Sequence, residues 1–197
     1  MEKHIIDFFI LVQKFIAKGV KIEHLGIENV KVSCAADVSY YGEKGFAVAV
    51  KKDGERVEYN IFEGKVGFPY ISGLLYVREA PLIIRALEPY ECDLILIDAH
   101  GLSHPRKAGL TTIIGVLLDK PSIGVAKSRL SGKIIEENGE KFIVVDGEKV
   151  GVVKGKYYFS IGNKVDLRDV IELSSFGYPE LLRMADMISK KAKNLKS

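Results

Sequence analysis

A chain of 197 residues with 47% hydrophobic and 28% charged residues has the make-up of an ordinary globular protein able to bury a sizeable core. No apolar run reaches the length of a membrane span, and the charges of MEKHIIDFF argue against a signal peptide, so a cytoplasmic protein is expected. The net charge of +3 permits nucleic-acid binding without demanding it. Cys34 and Cys92 lack zinc-ligand spacing and read as buried free thiols rather than a disulfide. No linker or composition break divides residues 1–197, which read as one domain and by default a monomer. Abundant Lys, Glu and Ile, a single glutamine (Gln13) and no tryptophan follow the thermophile pattern.

In chain order, apolar residues at helical spacing predict a helix over Ile5–Ala17, ending at Gly19. Strands are expected at Val30–Tyr40, Phe46–Lys51 and Arg56–Lys65, the last two joined through Asp53-Gly54. A helix is expected over Tyr76–Leu87, starting or kinking near Pro81. Leu94–Ile97 reads as a buried strand, followed by a helix at roughly Arg106–Asp119 and a strand at Ser122–Ala126. That unit implies a right-handed parallel crossover. Short strands at Phe142–Val145, Val150–Val153 and Tyr157–Ile161 and a helix from about Pro179 to Leu195 complete the chain. Lys190, Lys191, Lys193 and Lys196 read as a solvated helix end. The expected fold class is α/β, a mixed sheet of three antiparallel strands followed by parallel strands, with helices on both faces.

Three acids stand in apolar surroundings. Asp37 interrupts VSCAADVSY, Asp98 closes LILID, and Glu79 lies in LLYVREAPLII. Each alone reads as a salt bridge or cap, with Arg78 or Arg85 as partner for Glu79. Together they carry more, because Asp37 and Asp98 become neighbours if the first and fourth strands pair in parallel. Clustered carboxylates without cysteine suit a hard divalent cation, Mg²⁺ or Mn²⁺. Such sites hydrolyse phosphodiesters, with His104 and Lys127 available for proton transfer and charge stabilisation.

The strand acid in AADVSY, the block FPYISGLLYVRE and the block DAHGLSHPRKAG…GVLLDKPSIGVAKSRL together resemble the endonuclease V family, whose fold is ribonuclease H-like. The second block is similar to the family's PYxPGxLxFRE and the third to its DGxGxxHPRxxG…GVLLDxPTIGVAKxxL. The resemblance runs from Asp37 to about Asp186. It implies an enzyme that recognises deaminated adenine in DNA, with inosine-containing RNA a second substrate class, and cuts the second phosphodiester on the 3′ side. By position, Asp37, Glu79 and Asp98 would bind metal, and His104 and Lys127 would support catalysis. Pro69, Tyr70, Ile71 and Ser72 would form a wedge that fills the gap when the base leaves the stack. Gly73, Leu75, Ala99, Gly101, Gly109, Leu110 and Leu130 would line the base pocket, their small residues letting backbone N–H groups reach the base edge.

The chain departs from the family pattern at four places, one being the tail FGYPELLRMAD, which resembles a family GYRLPEPxRxAD segment but is shorter. Ser72 replaces a second wedge proline, Ala99 replaces a glycine, and Ile113 stands where many members carry histidine. Two other readings remain open on the sequence: a lesion-binding module that cuts poorly, and a ribonuclease H-like nuclease for other nucleic-acid structures.

Overall fold

In the computed structural model, which describes residues 2–195, alternation along the central strands feeds two separate cores. The elements are α1 (Lys3–Ala17), β1 (Val32–Tyr41), β2 (Lys44–Asp53), β3 (Arg56–Lys65), α2 (Leu75–Leu87), β4 (Leu94–Ile97) and α3 (Leu110–Leu117), then β5 (Ser122–Ala126), β6 (Lys133–Glu137), β7 (Glu140–Val145), β8 (Glu148–Lys154), β9 (Tyr157–Asn163), α4 (Leu167–Ser175) and α5 (Glu180–Asn194). On one face Ala35, Val48, Val50, Leu94 and Leu96 pack with Val170 of α4 and with Leu181, Leu182 and Ala185 of α5. On the other, Cys34, Ala36, Ala47, Ala49, Ile95 and Ile97 pack with α2 and α3, and Ile6, Phe9 and Ile10 of α1 pack against that core. A period-two strand pattern makes this division automatic.

Among the described residues the strands form one sheet in the order β3-β2-β1-β4-β5-β9-β8-β7-β6. β1 and β4 pair in parallel with Ala36 opposite Ile97, and β4 pairs in parallel with β5. The β3-β2-β1 hairpins are antiparallel, as expected. Beyond β5 the sheet turns antiparallel again through β9, β8, β7 and β6, so the expected run of parallel strands stops at β5. Short turns at Asn138-Gly139, Asp146-Gly147 and Gly155, all at positive φ, leave no room for the crossover a parallel strand needs.

Several expected boundaries shift for local reasons. α3 begins at Leu110 rather than Arg106, because Lys107 at φ 49° breaks the helical path and Gly109 is extended. Residues 99–109 instead form a closed loop, with Gly109 N–H donating to Gly101 O at 2.9 Å and Thr111 N–H to His100 O at 3.1 Å. α2 runs from Leu75 straight through Pro81, where burial of Tyr76, Ala80, Ile83 and Leu87 outweighs the roughly 3 kcal/mol interior proline penalty. β6 and α4 are additions to the sequence reading. α4 carries a readable start signal, a capping box between Asp166 and Asp169.

The cysteine expectation is overturned: Cys34 and Cys92 form a disulfide with their Cα atoms 5.8 Å apart. The parallel pairing of β1 with β4 brings Cys34 beside the segment leading into β4, within disulfide geometry. Lys190 lies on the expected solvated face and pairs there with Asp186 one turn earlier, while Lys196 lies outside the described residues.

Candidate active site

The Ala36–Ile97 register places the next residues along, Asp37 in β1 and Asp98 just past β4, side by side at the sheet centre. Asp186 reaches them from α5, and the three carboxylates bring oxygens within 4.8 Å of one another. Burial pushes Asp37 up to about 6, with Asp98 and Asp186 adding repulsion and the Ser189 hydroxyl, 2.9 Å from its Oδ2, working the other way. Burial also raises Asp186, but Lys190 and Lys127 outweigh it and hold the group below its usual range.

Glu79, expected beside Asp37 and Asp98, arrives from α2 on the opposite face of the sheet and stands outside that closest trio. It accepts a 2.5 Å hydrogen bond from the Tyr40 hydroxyl, and Arg78 lies 4.2 Å over the Tyr40 ring. Burial pushes Glu79 up to about 7 against the lowering effect of that bond, and Asp37 and Asp98 add to the rise. The raised carboxyls of Asp37 and Glu79 beside the acidic cluster are compatible with a divalent cation.

Lys127, just past β5, makes an ion pair with Asp98 and lies 3.5 Å from Asp186. Burial pulls its ammonium down, but Asp98, Tyr178 and Asp186 more than reverse this and keep it protonated. Tyr178 stacks on Tyr157 at 4.5 Å between ring centroids, and its hydroxyl is 3.5 Å from Asp98 Oδ2.

Beside the carboxylates opens a cavity of about 230 Å³, below the roughly 300 Å³ at which sites for drug-sized ligands begin. Tyr70, Gly73, Leu75, Ala99, Gly109, Leu110 and Leu130 line it, together with Asp98, Lys127, Gln13 and His100. Gly101 does not. Its position demands glycine because a Cβ there would stand 2.0 Å from Ile161 O, and its N–H donates to Ser160 Oγ at 2.9 Å. Nor do Pro69, Ile71 and Ser72 line the cavity. Pro69 and Ser72 are exposed around Tyr70, and Ile71 packs on the core.

The expectation that small residues free their N–H groups for a base is corrected at two of the lining positions. Ala99 N–H bonds Ile97 O at 2.8 Å, and Gly109 N–H bonds Gly101 O. Leu75 and Leu110 open α2 and α3, and the first N–H groups of a helix have no intrahelical acceptor. Those two positions carry the donor capacity. Ile113 is fully buried in the core, away from any polar role.

His104 is placed differently from a proton-transfer group. It is 2% exposed, its Nδ1 accepts from Arg106 N–H at 3.1 Å, and its Nε2 faces Gly73 O at 3.1 Å. With Nδ1 accepting, Nε2 carries the proton and donates. Burial lowers its pKa to about 4, and Arg106 adds to the effect, so the ring is neutral with both nitrogens engaged.

Sequence reasoning missed Asp186, Ser189, Tyr178, Arg106 and Gln13. For Asp186 the signal was present: FGYPELLRMAD resembles a family segment, and Asp186 and Ser189 are three apart in a helix, which makes them neighbours on its surface.

A central mixed sheet with helices on both faces and carboxylates converging from β1, the end of β4 and α5 defines a ribonuclease H-like nuclease. A family model described as Endonuclease V matches residues 14–187. Curated relatives named Endonuclease V include one from Sulfurisphaera tokodaii at 61% identity and one from Sulfolobus acidocaldarius at 55%, each alignment covering 98% of both chains. The crystal structure of endonuclease V from Streptomyces avermitilis superposes with a TM-score of 0.86 at 27% identity, covering 97% of this chain and 94% of that one. A Ciona intestinalis endonuclease V solved with a 24mer DNA containing an inosine shares the fold, with a TM-score of 0.83 at 23% identity over the whole of both chains. The chain belongs to the endonuclease V family and is a phosphodiester-cleaving endonuclease.

Proposed function

We propose that this endonuclease is metal-dependent, recognises deaminated adenine in nucleic acid, and hydrolyses the second phosphodiester on the 3′ side of the lesion. The observation that carries the reading is the junction of two features. The Asp37–Asp98–Asp186 carboxylates and Lys127 adjoin a base-sized cavity whose mouth bears the exposed ring of Tyr70. The inosine-containing DNA bound to the Ciona relative supports the lesion class, and the cleavage position is what the resemblance of the blocks around Asp98 to the family implies.

The donor set fits a hard divalent ion: oxygen ligands only, within reach of one another, with Asp37 raised by burial and like charge. Asp37, Asp98 and Asp186 would hold Mg²⁺ or Mn²⁺, with Glu79 close by. The bound ion would supply Lewis-acid activation of water and neutralise charge at the phosphate.

The chain's own groups do the rest. Lys127, held by Asp98 and Asp186 at the cavity rim, presents an ammonium to the non-bridging phosphate oxygens. The Tyr178 hydroxyl and the Ser189 hydroxyl orient Asp98 and Asp37. Tyr70 stacks in the space left by the departed base, and the helix-start N–H groups of Leu75 and Leu110 meet the base edge. His104 serves as a brace for the Gly73 turn rather than as a proton donor.

The test is a duplex carrying one deoxyinosine, end-labelled on either strand, incubated with Mg²⁺, with Mn²⁺ or with chelator. The expected result is a metal-dependent nick at the second phosphodiester 3′ to inosine, lost in Asp98→Ala with lesion binding retained. Tight binding without nicking would favour a lesion-binding module, and equal cutting of uracil, mismatch or flap substrates a different nuclease. An inosine-containing RNA in the same assay assigns the sugar preference.

A further inference from the structure

We infer that Gln13 is a positioning residue that anchors the base-opening loop to α1 through the carbonyl of Gly73. The inference rests on the proposed function for what the loop does, but on geometry alone for what holds it.

Gln13 is the only glutamine in the chain and lies on a helix that contributes none of the carboxylates. It is 1% exposed, in a helix whose other inward residues are apolar, among them Ile6, Phe9 and Ile10. An amide buried there is costly unless every polar atom finds a partner. All do. Nε2 donates to Ala108 O at 2.6 Å and to Gly73 O at 3.1 Å, and Oε1 accepts from Arg106 Nε at 2.5 Å. One side chain thus joins α1, the loop ahead of α2 and the closed loop of residues 99–109.

The carbonyl of Gly73 is the focus. It accepts from Gln13, from Arg106 Nη2 at 2.7 Å and from His104 Nε2 at 3.1 Å, three donors on one oxygen. The far side of the same peptide is also tied, since Leu74 N–H donates to Ile71 O at 2.9 Å. Gly73 sits at φ +79°, and a Cβ there would come within 2.7 Å of Arg106 Nη2, so neither the turn nor its contact tolerates a side chain.

Tyr70, three residues upstream, is 69% exposed and has little packing of its own. Its direction therefore follows from where the loop is rooted. Gln13 also touches the cavity, but both of its donors are committed to backbone carbonyls and its oxygen is held by Arg106. Its effect passes through Gly73 and Tyr70. Residues that fix a reacting or binding geometry from behind carry large effects through small displacements.

The test combines substrate assays with a direct readout of the loop. Gln13→Ala and the near-isosteric Gln13→Glu, which keeps the acceptor for Arg106 and loses both donors, are compared with wild type on inosine in duplex and in single strand. The expected result is a roughly tenfold rise in half-saturating duplex, the size of one strong hydrogen bond, with cleavage at saturation within about twofold and a smaller defect on single strand. Added to Tyr70→Ala, either variant should cause no further loss, because both act through one element. Additive losses, or equal losses on both substrates, would overturn the inference. Since the chain has no tryptophan, Tyr70→Trp supplies a single tryptophan, excited selectively at the red edge where the tyrosines do not absorb. Its anisotropy should fall when Gln13→Glu is introduced, whatever the substrate proves to be, and an unchanged anisotropy would also overturn the inference. A wild-type protein indifferent to inosine would refute the proposed function and leave this last measurement standing.

Discussion

The Ser189 hydroxyl lies 2.9 Å from Asp37 Oδ2, tying α5 to the central strand at the point where the carboxylates converge. Ser189 is fully buried, and its hydroxyl is also 3.0 Å from Asp186 O, so a single proton is shared between helix and site. Ser189→Ala removes the contact that lowers Asp37 and leaves burial and like charge to raise it beyond about 6. Mg²⁺ affinity at pH 7 should fall several-fold, an effect on the order of one hydrogen bond to a charged group. Titration calorimetry of the metal into both proteins checks this; identical affinities would assign Ser189 to helix packing alone.

The raised carboxyls set a pH dependence. Asp37 at about 6 and Glu79 at about 7 both lie above their unfolded values of 3.8 and 4.5. The folded, metal-free protein therefore binds extra protons between roughly pH 4 and 7, and the stability they contribute is fully present below that window and lost as pH rises through 6 and 7. Metal-free protein should accordingly gain thermal stability relative to Asp37→Asn and Glu79→Gln as pH falls from 8 to 5. Cleavage should do the opposite, declining below pH 7 as metal binding competes with protons. Scanning calorimetry in chelator and a pH–rate profile give the two curves, and parallel trends would contradict the assignment.

Tyr70 should matter for binding and not for folding, because its ring is exposed. Tyr70→Ala should leave the melting temperature unchanged. It should weaken inosine-duplex binding by roughly 5- to 150-fold, the worth of one base–aromatic stack at about 1–3 kcal/mol. Fluorescence anisotropy with labelled duplexes checks it, and equal affinity for damaged and undamaged DNA in both proteins would remove the wedge role.

The Cys34–Cys92 disulfide spans 58 residues and ties the start of β1 to the segment entering β4. Closing a loop of that length is worth about 4 kcal/mol in the chain-entropy account. Replacing both cysteines by alanine should lower the melting temperature by on the order of 10 °C. Cys34 precedes Asp37 in β1 and Cys92 lies ahead of β4, neither lining the cavity, so nicking at moderate temperature should persist. Calorimetry beside the inosine assay separates stability from activity.

The sequence by itself determined the acids, the exposed aromatic loop and the parallel unit around Asp98. These are written in local patterns: an apolar run ending on a carboxylate, a Gly/Pro loop, strand–helix–strand spacing. It made Asp37 and Asp98 neighbours on the condition that their strands pair in parallel, which they do. Only the tertiary structure decided the rest. Asp186 joins the carboxylates because α5 folds back across β1, and Glu79 stands off because α2 lies on the other face. His104 is held in a buried hydrogen-bond network, and Gln13 joins that network across 60 residues of sequence. The disulfide likewise closes only once β1 and β4 are side by side. The physical reason is common to all of these: a residue's type and spacing fix what chemistry it can offer, whereas burial, partner and charge environment come from segments distant in the chain.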